Sequence, residues 1–143
     1  MMPINYLAVL AVSIINMLLG WLWYGFLFAK TWIRLHGFTS KDLEKAKEKG
    51  MRKTYLISFI STIIMVLVLS LLLNLTGAAR ISQGLMLGFA VWLGFIATTT
   101  LGPVLWEGKS FKLYLLNNAY NLLSLLLMSV VLVLWRWFSR NLN

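Results

Sequence analysis

The chain lacks cysteine altogether and has one histidine, two prolines and four acidic residues among 143. Without a thiol there can be no disulfide, thiolate metal site or thiol nucleophile. His36 alone cannot give a haem two imidazole ligands within one chain. Four carboxylates, three of them between residues 42 and 48, are poor material for general acid–base work. The residue inventory therefore predicts no catalytic group, metal site or cofactor.

Charge is also missing along the chain in a pattern. Residues 1–29, 54–79, 81–106 and 113–135 contain no Asp, Glu, Lys or Arg, although the formal net charge is +9. A hydrocarbon span needs roughly 20 mostly apolar residues, and each gap can supply one. Strands with open edges would leave backbone polar groups unpaired in lipid, so the spans must be helices. The expected fold is all-α: a polytopic integral membrane protein with a four-transmembrane-helix bundle. Its spans are placed at about residues 5–29, 55–75, 82–102 and 113–138 of a single membrane domain covering 1–143. Span one lacks a basic leader and ends in Gly20-Trp21-Leu22-Trp23-Tyr24-Gly25-Phe26, which predicts a retained anchor rather than a signal peptide.

What is present is concentrated. Eight of the 13 Lys and Arg fall in residues 30–53, where Thr39 can cap a short polar helix with Asp42 in its first turn and Gly50 as its stop. Residues 76–80 form a tight turn, and Pro103 favours an irregular start to a loop over 103–112. Positive residues close to spans stay on the cytoplasmic side. With 30–53 and 103–112 inside, ten of the 13 Lys and Arg are cytoplasmic, leaving Arg80, Arg136 and Arg140 outside with both termini. The expected location is the cytoplasmic (inner) membrane. Anionic lipid headgroups are the expected partners of residues 30–53, and no nucleic-acid partner is expected.

The spans are not uniformly apolar. Asn5, Ser13, Asn16, Gly20 and Tyr24 recur close to one face of span one, and Asn117, Asn121, Ser124 and Met128 form a stripe on span four. Ser58, Ser61, Thr62 and Asn74 add polar groups to span two. Amides facing lipid are costly, so these faces are expected to turn toward other helices. There they act either as interhelical glue or as the lining of a polar interior, for which Asn16, Tyr24, Asn117, Asn121 and Ser124 are the candidates. No ionisable acid, lysine or histidine lies mid-span, which argues against a proton-driven carrier.

Gly84 and Gly88 are spaced for close helix packing, within the chain or in a homo-oligomer. Thr98-Thr99-Thr100-Leu101-Gly102 lacks the second glycine and aromatic residue of a potassium filter, so its hydroxyls are read as partners for carbonyls near a helix end. Trp23, Lys30, Trp32, Trp106 and Glu107 form a candidate inner-face cluster. In it Glu107 can pair with Lys30 or Arg34.

Gly20-Trp21-Leu22-Trp23-Tyr24, Phe28-Ala29-Lys30-Thr31-Trp32 and Gly37-Phe38-Thr39, with Trp106-Glu107-Gly108-Lys109-Ser110 and Leu113-Tyr114-Leu115-Leu116-Asn117, resemble a bacterial membrane family. That family is catalogued as domain of unknown function 1761. The resemblance implies a small four-span protein and assigns no activity or residue role. Two functional expectations remain: a transport-like or pore-forming oligomer with a neutral polar interior, or a membrane module that binds anionic lipid or a larger complex through its basic face.

Overall fold

The computed structural model describes residues 4–141. Six helices follow in order: α1 (Tyr6–Leu27), α2 (Ala29–His36), α3 (Ser40–Lys49), α4 (Arg52–Leu75), α5 (Ile81–Trp106) and α6 (Phe111–Asn141). Among the described residues there is no strand, and α1, α4, α5 and α6 are long and apolar enough to cross a membrane. The chain is an all-helical membrane protein with four spanning helices.

Local signals in the sequence set the boundaries. The Asn5 side chain accepts a hydrogen bond from the Ala8 amide at 3.0 Å and starts α1. At α3 the Thr39 hydroxyl receives the Asp42 amide at 3.3 Å, and the Asp42 carboxylate receives the Thr39 amide at 2.9 Å, a reciprocal capping box. The α4–α5 turn passes through Gly77 at φ 65°, a left-handed conformation that a side chain disfavours.

The Thr39 hydroxyl also donates to Asp42 and holds its carboxyl below the usual carboxylate range. A carboxyl lowered by folding contributes stability that is present above its ordinary value of about 3.8 and is lost as pH falls through the lowered one. The α3 amide signals, followed by NMR in nanodiscs, are therefore expected to hold at neutral pH and fray below that range. Thr39→Ala should fray α3 at neutral pH and flatten the acid dependence. An unchanged titration in Thr39→Ala would remove this account of the cap.

The four long helices define two ends: a turn end, with residues 76–80, and a loop end, with α2, α3 and residues 107–110. At the turn end α6 packs on α1, α4 and α5, and Val12, Val66, Leu69, Leu73, Leu125, Met128 and Leu132 are buried together. Gly84 and Gly88 bring α5 onto the α6 backbone: a Cβ on Gly88 would lie 3.1 Å from the Leu125 carbonyl oxygen. Toward the loop end the bundle opens. From Arg52 to Ser61 every residue of α4 except Phe59 is exposed. The expectation that the polar face of span two turns inward holds for Thr62, which is buried, and fails for Ser58 and Ser61. Those two lie on the half of α4 that has left the bundle, and a serine hydroxyl is cheaper to leave there than an amide.

Two spanning helices change their winding as they approach the loop end. Trp21–Leu27 and Trp92–Ala97 are π-helical, and α5 then passes through a 3-10 turn at Thr99–Leu101. Thr98 and Thr100 donate to the Gly94 and Ile96 carbonyls at 2.8 and 2.6 Å, the role read for these hydroxyls from the sequence. Pro103 does not open the loop as expected. It sits in the first turn of a last α-helical segment, Gly102–Trp106, where its missing N–H costs no helical bond.

The two hairpins α1–α4 and α5–α6 share a local motif and, in their second helices, a buried pattern. Both π segments carry Trp-x-Gly-Phe, at Trp23–Phe26 and Trp92–Phe95. α4 and α6 begin 59 positions apart, at Arg52 and Phe111, and continue as Lys53-Thr54-Tyr55-Leu56 and Lys112-Leu113-Tyr114-Leu115. The buried Val66, Leu69, Ser70 and Leu73 of α4 correspond in this register to Leu125, Met128, Ser129 and Leu132 of α6, all buried. The part of the core that α4 and α6 supply is thus built from matching positions of the two helices.

Candidate functional site

A cleft of about 540 Å³ lies at the loop end between α1, α2, α5 and α6. Clefts of this size accommodate small ligands. Its floor is α6, which presents Tyr114, Asn117, Asn118 and Asn121, and its sides are Tyr24, Trp32 and His36 opposite Thr100, Pro103 and Val104. Lys109 and Ser110 belong to the rim.

The aromatic side follows from the break after α1. Phe28 leaves helical geometry at φ −120°, ψ 14°, and α2 restarts with Trp32 and His36 one turn apart. His36 Nδ1 lies 3.1 Å from the Trp32 carbonyl oxygen, and the two rings are 4.2 Å apart. His36 stacks on Phe38 at 8°, and Tyr24 meets Trp32 edge-on at 6.0 Å. The Tyr24 hydroxyl crosses to α6 and donates to Asn117 Oδ1 at 3.0 Å.

The opposite side is tied to the floor by Asn118, which is 3% exposed. Its Nδ2 donates to Thr100 Oγ1 at 2.9 Å and to the Tyr114 carbonyl at 3.1 Å. The Trp92 indole donates to the Asn118 carbonyl at 3.0 Å, and the Tyr114 hydroxyl donates to the Ala97 carbonyl at 2.8 Å. Both bonds are made to or from the π segment of α5. Local π winding recurs at functional sites.

One turn beyond the cleft the interior is filled. The Ser124 hydroxyl donates to Asn16 Oδ1, and both residues are 3% exposed. Next to them Gly20 lets the Tyr120 hydroxyl come within 2.9 Å of where its Cβ would stand.

The five residues read as a polar interior therefore separate into two groups. Tyr24, Asn117 and Asn121 line the cleft, whereas Asn16 and Ser124 bind each other in the packed half. The inner-face cluster is not brought together. Trp32 lines the cleft, Trp23 packs on Phe28 at 4.6 Å, Lys30 is exposed and Trp106 is 88% exposed. Glu107 pairs with Lys109 at 3.0 Å rather than with Lys30 or Arg34. Two residues of one short loop meet without ordering a second segment, and this exposed pair contributes about 0–1 kcal/mol.

A family model described as a protein of unknown function (DUF1761) matches residues 7–133. The chain belongs to the DUF1761 family. No curated protein and no solved structure matches it. The DUF1761 match takes in the cleft and the repeated core, and Arg136 lies beyond it. Asn118 and Trp92 of this DUF1761 chain are site residues that sequence reasoning does not single out, and it reads Thr100 only as a carbonyl partner and His36 only as a lone imidazole. Asn118 lies one residue off the Asn117–Asn121 stripe, so helical periodicity alone turns it away from α1. The adjacent Asn117-Asn118 pair is the available signal: two consecutive amides on an apolar span cannot share one face, and each needs its own partner helix.

Proposed function

We propose that the protein binds a small polar ligand from one side of the membrane, in the cleft at the loop end. The observation that carries this reading is the closure immediately beyond Asn121, where Asn16 and Ser124 hydrogen-bond to each other in a buried layer. A pore along the two polar stripes receives less support, because that layer interrupts them. In the same reading the loop end is cytoplasmic, as the concentration of Lys and Arg in residues 30–53 favours. Residues 30–53 then rest against anionic headgroups, and α3 keeps its lysines exposed for them. A homo-oligomer would use a face other than Gly84 and Gly88, which α6 already fills.

The absence of native cysteine makes thiol labelling free of background. Asn121→Cys and Ser110→Cys are expected to react with a membrane-impermeant maleimide added from the cytoplasmic side. Asn16→Cys and Ser124→Cys should stay unlabelled from either side. Labelling of Asn16→Cys or Ser124→Cys from both sides would restore the pore, and protection of Asn121→Cys and Ser110→Cys would remove the cleft.

A further inference from the structure

α4 and α6 share their buried positions at the turn end, so the places where they differ show what the cleft has added. In the 59-residue register, Asn117, Asn118 and Asn121 of α6 stand where α4 has Ser58, Phe59 and Thr62. In the Trp-x-Gly-Phe register Tyr24 stands where α5 has Leu93. Three amides and a phenol thus distinguish the walls of the cleft, while α4 and α6 bury matching apolar residues at the turn end.

The lining carries unmatched N–H donors and one cation. Asn118 is satisfied by Thr100 and Tyr114, and Asn117 Oδ1 accepts from Tyr24, which leaves Asn117 Nδ2 with no acceptor among the described residues. The Asn121 amide has no hydrogen-bond partner among them, and Ser110 supplies a hydroxyl at the rim. Among the described residues no Asp or Glu lines the cleft, whereas Lys109 does. Its ion pair with Glu107 is exposed, so an incoming anion competes with Glu107 in water rather than in a buried site. Free N–H donors, an exposed ammonium and no lining carboxylate suit a ligand rich in acceptor oxygens and negatively charged. Leu113, Val104 and Pro103 offer that ligand an apolar flank.

We propose that the cleft holds a phosphate ester, with Asn117, Asn121 and Ser110 donating to its oxygens and Lys109 neutralising its charge. This deepens the binding reading above and rests on it. A phosphate ester reaches the cleft either as the headgroup of a membrane lipid or as a soluble molecule, and the two routes can be told apart.

The full-length protein in detergent is titrated with dioleoylphosphatidic acid and followed by native mass spectrometry, with dioleoylglycerol as the uncharged comparison and glycerol 3-phosphate as the soluble one. Lysines at 41, 45, 47 and 49 attract anionic lipid without the cleft, so the measurement is made on a variant with all four changed to glutamine. One phosphatidic acid per chain is expected to be retained, and Asn117→Leu/Asn121→Leu should weaken it about a hundredfold or more, the loss of two hydrogen bonds to a charged group. Displacement by glycerol 3-phosphate makes the soluble ester a ligand; retention of the lipid alone makes the source the membrane. Equal retention of dioleoylglycerol, or of phosphatidic acid by the double variant, overturns the phosphate assignment. If Asn121→Cys is labelled from the cytoplasmic side while phosphate is not discriminated, the cleft stands and only its ligand class falls. Protection of both Asn121→Cys and Ser110→Cys overturns both.

Discussion

Gly88→Leu should separate α5 from α6 and destabilise the bundle by about 3 kcal/mol or more. Even an alanine Cβ at Gly88 would stand 2.8 Å from Ser129 Oγ and 3.1 Å from the Leu125 carbonyl oxygen. The serine can rotate aside, but the carbonyl belongs to the α6 backbone and moves only with the helix. Alanine normally gains about 0.5–1 kcal/mol over glycine inside a helix. At Gly88 overpacking outweighs that gain, and Gly88→Ala is expected to lose about 1 kcal/mol net. At Gly84 a Cβ would meet Val133 Cγ2 at 3.0 Å and the Ser129 carbonyl oxygen at 3.3 Å, so Gly84→Leu should behave similarly. Gly94, also on α5, has no such neighbour within 4 Å, and Gly94→Ala should be neutral or stabilising. Reversible unfolding in mixed micelles measures all four. A Gly88→Leu protein as stable as the parent would show that α5 does not depend on this approach. Because Trp92 and Asn118 lie on the same pair of helices, the same variants should also loosen the cleft.

The second large effect is expected at Arg136. Its guanidinium donates to Asn74 Oδ1 and reaches the Ala78 carbonyl at 3.4 Å, tying the end of α6 to the α4–α5 turn. Hydrogen bonds to a charged group contribute about 1.5–3 kcal/mol. Arg136→Ala should lose stability in that range, and Arg136→Lys should recover part of it, since lysine keeps the charge without the planar fork. Asn74→Ala should also destabilise, because it leaves the half-buried cation with one acceptor fewer. In Arg136→Ala/Asn74→Ala the two losses should overlap by about 1 kcal/mol. Additive losses would mean that the contact contributes nothing to the turn.

The number of spans and their order are legible in the charge gaps because lipid tolerates so little charge that the signal survives every local variation. The α3 cap is legible for another reason: Thr39 and Asp42 meet within one turn, and their geometry depends on nothing distant. The close approach at Gly84 and Gly88 can be read as packing, though not its partner. Partners are the difficulty throughout. Arg136 looks like a flanking charge until the fold brings it to Asn74, 62 residues away in sequence. Asn118 looks lipid-facing until Thr100 and Trp92 arrive from α5. Glu107 looks available to Lys30 and Arg34, yet Lys109 is held beside it by the loop and needs no ordering of a second segment. The π winding is invisible because hydropathy averages over a turn and does not register whether a carbonyl is bonded four or five residues on.

The two π segments also decide where the cleft points. A helix advances about 100° per residue, and a π turn holds one residue more than an α turn, so winding Trp21–Leu27 as ordinary α-helix with no residue removed would swing everything after it by roughly that angle, while the residues before it stayed in place. The segments act as phase shifters: they set the azimuth of Trp32, His36 and Thr100 without disturbing Val12 or Gly88. A change of winding there at constant length re-aims the mouth of the cleft over an unchanged core. Two such positions, one in each hairpin, give this small bundle a way to vary what it recognises while keeping how it packs.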